Sequence, residues 1–559
     1  MGIGSILLDQ GMISRDQLDS ALGQQRTSGE RLDKVLVRLG FVSSNQVLRA
    51  IGEQFSMPVV DLAETAVEQS VLDALPARLV YKQNCVPIAK AGHVLTVATS
   101  DPFELSVLDE LKLLTGCSIE LVLADEAELH KFIRANYGVG GDTLTEMAAA
   151  AGDAPAAQVE AKNEVEQAEE ASVIRLVNDL IVEAITERAT DVHIEPYEDA
   201  LVVRYRIDGV LQRANVPATI NRFAAAIISR LKIMASLNIA EKRKPQDGRI
   251  TIRQRIAGKP QEYDLRVSVI PMLSGEGVVL RILNKSAVLM GLEDLGMPAP
   301  VLDRWAGMIA RPHGILLVTG PTGSGKSTTL YASLNRIVSD AVKAITIEDP
   351  VEYHVPGVNQ IQVSTQVGLT FASGLRAVLR HDPDVVMVGE IRDKETAEVA
   401  IQASLTGHLV FSTLHTNDAA GANTRLLDMG VEPFLVASSV EGVLAQRLVR
   451  KVCKACAQPY EPDPADLPRS LVLEPGTTLV KGQGCRECRQ TGYRGRLGVY
   501  ELLRVSDEIR EMIMNRVNAP TIVAKAVASD DLLQLKQDGL AKARAGVTTV
   551  EEVMRALSA

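Results

Sequence analysis

Ile315-Leu-Leu-Val-Thr-Gly-Pro-Thr-Gly-Ser-Gly-Lys-Ser-Thr328 decides the reading of this 559-residue chain. Ile315 to Thr319 is an apolar run of strand length, and Thr328 to Ile337 has the pattern of a helix. Between them stands Gly-x-x-x-x-Gly-Lys-Ser. Strand, glycine-rich loop and helix in that order are the context in which a backbone wraps phosphate. Glycines let successive N–H groups curl around an anion, and the helix N-terminus adds positive potential. The expected nucleotide-binding residues are Gly320, Pro321, Thr322, Gly323, Ser324, Gly325, Lys326, Ser327 and Thr328. Lys326 is expected to reach the β and γ phosphates of ATP, and Ser327 to hold Mg²⁺.

Two further apolar runs end in acids. Ala344-Ile-Thr-Ile347 leads into Glu348, Asp349 and Glu352, and Val385-Val-Met-Val388 leads into Gly389-Glu390. Carboxylates at the carboxyl ends of buried parallel strands lie where Mg²⁺ and the attacking water sit beside a bound phosphate. Glu390 is the first choice for the base or the indirect Mg²⁺ holder, with Glu348, Asp349 and Glu352 as rivals. His408 and His415 bracket the strand-like Leu409-Val-Phe-Ser-Thr-Leu414 and are candidates to sense the γ-phosphate.

Cys453-Lys-Ala-Cys456 and Cys485-Arg-Glu-Cys488 form C-x₂-C-x₂₈-C-x₂-C. Two such knuckles supply four thiolates for a tetrahedral structural Zn²⁺, with no open position for chemistry. Cys85 and Cys117 read as core residues.

Working outward, the chain is too long for one core, so several domains are expected. Residues 1–60 contain a tandem repeat in which Gly11 matches Gly40, Leu18 matches Val47 and Gln25 matches Gln54. Each copy reads helix, glycine stop, serine N-cap (Ser14, Ser43), helix. A small α/β module follows at 61–137, then an Ala-, Gly- and acid-rich linker at 138–171, within which 158–170 is a transient-helix candidate. Residues 172–285 carry a helix and five strands. The last domain, 286–559, holds the phosphate loop and a cysteine subdomain at about 450–500. A net charge of −11 argues against coating nucleic acid, which requires a basic surface. No apolar run is long enough to span a bilayer. Nor is there a secretory signal, so the expected compartment is the cytoplasm.

Taken together, these motifs resemble the secretion ATPase superfamily of type II secretion and type IV pilus assembly. Gly320 to Thr328, Ile347 to Glu352, Leu379 to Asp393 and Thr406 to Asp418 are similar to its Walker A, Asp box, Walker B and His box. The resemblance implies an α/β fold: a RecA-like P-loop NTPase domain preceded by a PAS-like domain and the N-terminal regions. It also implies a homohexamer that drives filament assembly against an inner-membrane platform protein. Arginines of the 172–285 domain would complete the site, the candidates being Arg204, Arg206, Arg249, Arg266 and Arg281. The cysteines point to the extension branch rather than to a retraction motor. The N-terminal repeat resembles cyclic-di-GMP-binding units of the form Arg-Leu-Gly-x-x-Leu-x-x-x-Gly. Two departures stand out: Gly2 where an Arg is expected and Asp33 where a Gly is expected. A nucleotide-sensing docking scaffold with weak turnover is the competing reading, and the intact Lys326, Ser327 and Glu390 oppose it.

Overall fold

A computed structural model describes residues 3–63, 65–102, 106–151, 170–256, 259–284, 290–462, 467–468 and 478–558. The chain falls into two compact units, residues 1–252 with 265–282, and residues 253–264 with 283–559.

The first unit opens on the tandem repeat. Its helices are Ile3–Asp9, Arg15–Ser28, Leu32–Arg38 and Ser44–Phe55. Ser14 and Ser43 close full capping boxes: each hydroxyl accepts from the backbone of Gln17 or Gln46, whose side chain accepts from the serine N–H in return. Gly11 and Gly40 take φ of +68° and +73°, the left-handed geometry that stops the preceding helices. Next comes a three-stranded sheet of Cys85–Ala91, Val94–Thr99 and Ser118–Leu123. Cys85 and Cys117 are buried in its core.

The expected linker needs correcting at its start. Gly141–Ala151 is a helix that packs on Ala77–Gln83 and Ala171–Thr186, with Thr143 and Leu144 fully buried. Leu144 and Met147, three residues apart, give an otherwise alanine-rich segment one apolar face. The segment 158–169 lies outside the described residues. Ala171–Thr186 then leads into a six-stranded sheet ordered Val210–Arg213, Leu201–Ile207, Asp191–Pro196, Gly275–Asn284, Lys259–Met272, Gln246–Ile256.

In the second unit an eight-stranded sheet forms from β1 (Gly314–Thr319), β2 (Ala344–Glu348), β3 (Val358–Gln362), β4 (Val385–Val388), β5 (Leu409–Leu414), β6 (Val440–Val452), β7 (Tyr493–Arg504) and β8 (Leu532–Leu533). Its order is β3-β2-β4-β5-β1-β6-β7-β8. The first six strands in that order run parallel, while β7 and β8 are antiparallel additions at one edge. Strands β1, β2, β4 and β5 are buried at every position, as expected of parallel strands covered on both faces. Parallel pairing brings Thr319, Glu348, Val388 and Leu414 to one edge, which is what gathers the motifs.

Candidate functional site

Helix Lys326–Ile337 starts immediately beyond β1, and the loop between them bends at three glycines. Gly320, Gly323 and Gly325 have φ of +148°, +78° and +90°. A Cβ on Gly320 would stand 2.4 Å from the Gln446 carbonyl oxygen, and one on Gly325 would meet the Gln446 amide at 2.7 Å. Strand β6 therefore presses on the loop from beneath and requires glycine there. Gly323, by contrast, has nothing within 4 Å and lies at the open side. Ser324 Oγ is buried with no hydrogen-bond partner. An unpaired hydroxyl inside a glycine-lined bend fits an anionic oxygen.

Lys326 Nζ donates to the carbonyls of Gly320 (2.8 Å) and Pro321 (3.0 Å). Burial lowers its pKa to about 8, the Glu390 charge working in the opposite direction and Arg447 adding to the decrease. Glu390 sits two residues past β4. It accepts from Arg392, and His415 Nε2 lies 3.3 Å from its second oxygen. Burial pushes this carboxyl upward, but Arg392 and His415 outweigh that and hold it below the ordinary value. An ionised carboxylate beside a histidine, coupled to the loop lysine, can orient and deprotonate water.

The rival acids differ. Glu348 is 4% exposed and accepts from Tyr331 Oη, Thr346 Oγ1 (2.5 Å) and Gln360 Nε2 (3.1 Å). Burial and the Glu348 charge drive the Tyr331 phenol upward, keeping it a donor. Asp349 is exposed, and Glu352 donates its backbone N–H to Tyr331 Oη at 3.3 Å.

His408 does not join this group. It precedes β5, whereas His415 follows it, so the two lie about 20 Å apart at the usual strand rise. Its Nδ1 contacts the Ala403 carbonyl at 2.8 Å, and its own carbonyl accepts from Gly314 at the amino edge of the sheet. The candidate arginines lie on the six-stranded sheet. Arg204 pairs with Glu195, and Arg206 and Arg281 share Asp191 at 3.6 and 3.2 Å. Arg249 and Arg266 stand on its strands Gln246–Ile256 and Lys259–Met272. Sequence reasoning passed over Arg392, Tyr331 and Gln446. Arg392 could have been found from its place two residues after Glu390; the other two depend on strand order.

The four cysteines converge. Their sulfurs lie within 4.8 Å of one another, with Cys453–Cys485 and Cys456–Cys488 at 3.8 Å and Cys485–Cys488 at 3.7 Å. A tetrahedron of Zn–S bonds near 2.3 Å has edges of about 3.8 Å, so the set fits Zn²⁺. Burial raises the Cys488 thiol, but N–H donors from Cys485 and Gly492 reverse this and bring it to about 7.

Arg31 opens the second N-terminal unit, which resembles those that bind cyclic-di-GMP. Arg31 Nη1 lies 2.7 Å from both Asp101 oxygens, while Nη2 and Nε bond Asp33 at 2.8 and 3.2 Å. A cavity of about 390 Å³ beside it also receives Asp125 and Glu126. All three guanidinium nitrogens engage carboxylates, so a dinucleotide would compete with Asp33 and Asp101 for Arg31. Gly2 lies outside the described residues.

Fold, loop and acids together define a P-loop nucleotide hydrolase with a RecA-like sheet. Residues 166–555 match the family described as type II/IV secretion system protein, and residues 55–143 match the MshEN domain. The chain belongs to the type II/IV secretion system protein family, and it is an ATPase. It is 41% identical to the type IV pilus assembly ATPase PilB of Myxococcus xanthus, over 99% of this chain and 98% of that protein. It is 43% identical to the type II secretion system protein E of Xanthomonas campestris, over 98% and 97%. The ATPase DotB of Legionella pneumophila has the same fold, with a TM-score of 0.50 at 20% identity over 68% of this chain and 95% of that structure. Among the described residues no helix is long and apolar enough to cross a membrane.

Proposed function

We propose that this chain is the subunit of a cytoplasmic homohexamer that couples ATP hydrolysis to extension of a type IV pilus or a type II secretion pseudopilus. The observation that carries it is likeness to assembly and secretion ATPases over nearly the whole chain, from the helical repeat to the last helix. Gly320 to Thr328 would cradle the phosphates, Lys326 would neutralise β and γ oxygens, and Ser327 would hold Mg²⁺. Glu390, kept ionised by Arg392 and His415, is the group positioned to activate water. Glu348 serves as a buried support for the strand edge. Arg206, Arg249, Arg266 and Arg281 are the candidates to reach a neighbouring subunit's nucleotide, and an inner-membrane platform protein would hold the ring at the membrane face. The cysteine knuckles would bind Zn²⁺ and fix the loop-rich insertion between β6 and β7. No nucleic acid is assigned. Expression in a strain lacking its own pilus-extension or secretion ATPase tests this reading. Restored pili or secretion, abolished by Lys326→Ala, supports it; turnover without restored output in either type of strain refutes it.

A further inference from the structure

Beside the phosphate loop the sheet carries a cation that the foregoing does not use. Arg447 follows Gln446 on β6 and is 5% exposed. Its Nη2 donates to Asn417 Oδ1 at 3.2 Å, whereas Nε and Nη1 are buried without a partner. Among the described residues no carboxylate forms an ion pair with it; Asp418 and Glu501 are near enough to feel its charge but are otherwise engaged. Asp418 caps Gly421 at 2.7 Å, and Glu501 accepts from the N–H groups of Ala419 and Leu535. A buried guanidinium with two idle nitrogens is costly unless something anionic or polar completes it.

Its surroundings indicate what that is. Arg447 and Lys326 lie close enough for each charge to disfavour the other. Asn417, its one side-chain partner among the described residues, stands two residues after His415, the histidine that contacts Glu390. The turn that carries both is tied to the end of β1 through Thr319 Oγ1, which bonds the Thr416 carbonyl at 3.1 Å. Arg447 thus reaches this turn from β6, across the end of β1 from Glu390, with Lys326 near both. A fork of N–H groups there matches phosphate oxygens, which a point-charge lysine cannot bind bidentately.

We propose that Arg447 is a γ-phosphate-binding residue of the ATP site, supplied by the same chain that carries the loop. This rests on assigning residues 320–328 to the phosphates. The test is titration of fluorescent ATPγS and fluorescent ADP into the full chain with Mg²⁺, comparing wild type, Arg447→Gln, Arg447→Lys, Asn417→Ala and Lys326→Ala. Arg447→Gln is expected to weaken ATPγS at least about tenfold and ADP less than about threefold, the size of one charge-assisted contact. Arg447→Lys should show the same bias more weakly, and it decides the question if the glutamine variant does not fold. Asn417→Ala, which keeps the guanidinium, should leave the wild-type preference for ATPγS over ADP unchanged. Equal weakening of both nucleotides, or no weakening in a variant that melts like wild type, overturns the proposal and leaves Arg447 as a hydrated structural residue. A nucleotide bias as large in Asn417→Ala overturns direct contact. If Lys326→Ala binds both nucleotides normally, the underlying site assignment is what fails.

Discussion

Under the proposed function, Glu390→Gln removes the acid that activates water and Glu348→Gln the acid that holds the sheet edge. At Glu390 the amide keeps the size of the side chain but removes the charge that Arg392 and His415 share. Loss of a general base lowers turnover by about 10²–10⁴, or about 3–5 kcal/mol of barrier. Stability should change little, because Arg392 is 62% exposed and such pairs contribute about 1 kcal/mol or less. At Glu348 the balance reverses. The carboxylate is buried and faces three donors, Tyr331, Thr346 and Gln360. An amide there turns one acceptor into a donor, at about 1.5–3 kcal/mol of stability. Single-turnover phosphate release, nucleotide affinity and urea unfolding are measured on both variants. The expected pattern is slow chemistry with normal affinity and stability in Glu390→Gln, and lowered stability with smaller kinetic loss in Glu348→Gln. Retention of hydrolysis within tenfold by Glu390→Gln, with Glu348→Gln inactive but fully stable, refutes the assignment.

Lys326 predicts a proton-linked affinity. Burial holds its ammonium at about 8 in the free protein, and phosphate raises it again. Affinity for MgATP should therefore weaken as pH rises above 8, with uptake of up to one proton on binding. Calorimetry at pH 8.5 in buffers of different ionisation enthalpy measures that uptake. In folding the same shift works the other way: between pH 8 and 10.5 the unfolded chain holds more protons at Lys326, so this group's contribution to stability increases with pH. For the cysteine site, metal analysis should find one Zn²⁺ per chain and none in Cys485→Ser/Cys488→Ser, with faster proteolysis between β6 and β7. Finally, Ser14→Ala and Ser43→Ala should each cost about 1 kcal/mol in the repeat, additively, as judged by thermal unfolding of the full chain's first transition.

Much of the fold was legible because its signals are local. The capping serines, the glycine stops and the strand–loop–helix at 314–337 are each written within a few consecutive residues. The helix Gly141–Ala151 was missed because its composition resembles a linker. Only the presence of Ala77–Gln83 and Ala171–Thr186 gives Leu144 and Met147 something to be buried against. Composition reports whether a segment can bury a core of its own, not whether it can complete a neighbour's.

The site shows where reading by motif stops. His408 and His415 are equivalent in a linear pattern, yet a parallel strand has two ends, and only its carboxyl end meets the phosphate loop. The same rule places Glu348 and Glu390 on one edge but does not rank them. What ranks them is the cover over each strand end. Helix Lys326–Ile337 brings the Tyr331 hydroxyl onto Glu348, and β3 adds Gln360 from the other side, so that carboxylate, bonded also by Thr346, is enclosed with three donors in place. Strand β4 lies between β2 and β5, and its continuation emerges beside His415, where Glu390 keeps partners at the surface. An enclosed carboxylate already facing three donors has little room for water; a partly solvated one, ionised beside Arg392, has more. On the proposed reading, strand order and what packs above each strand end decide which acid can meet water, and both depend on contacts between residues distant in sequence.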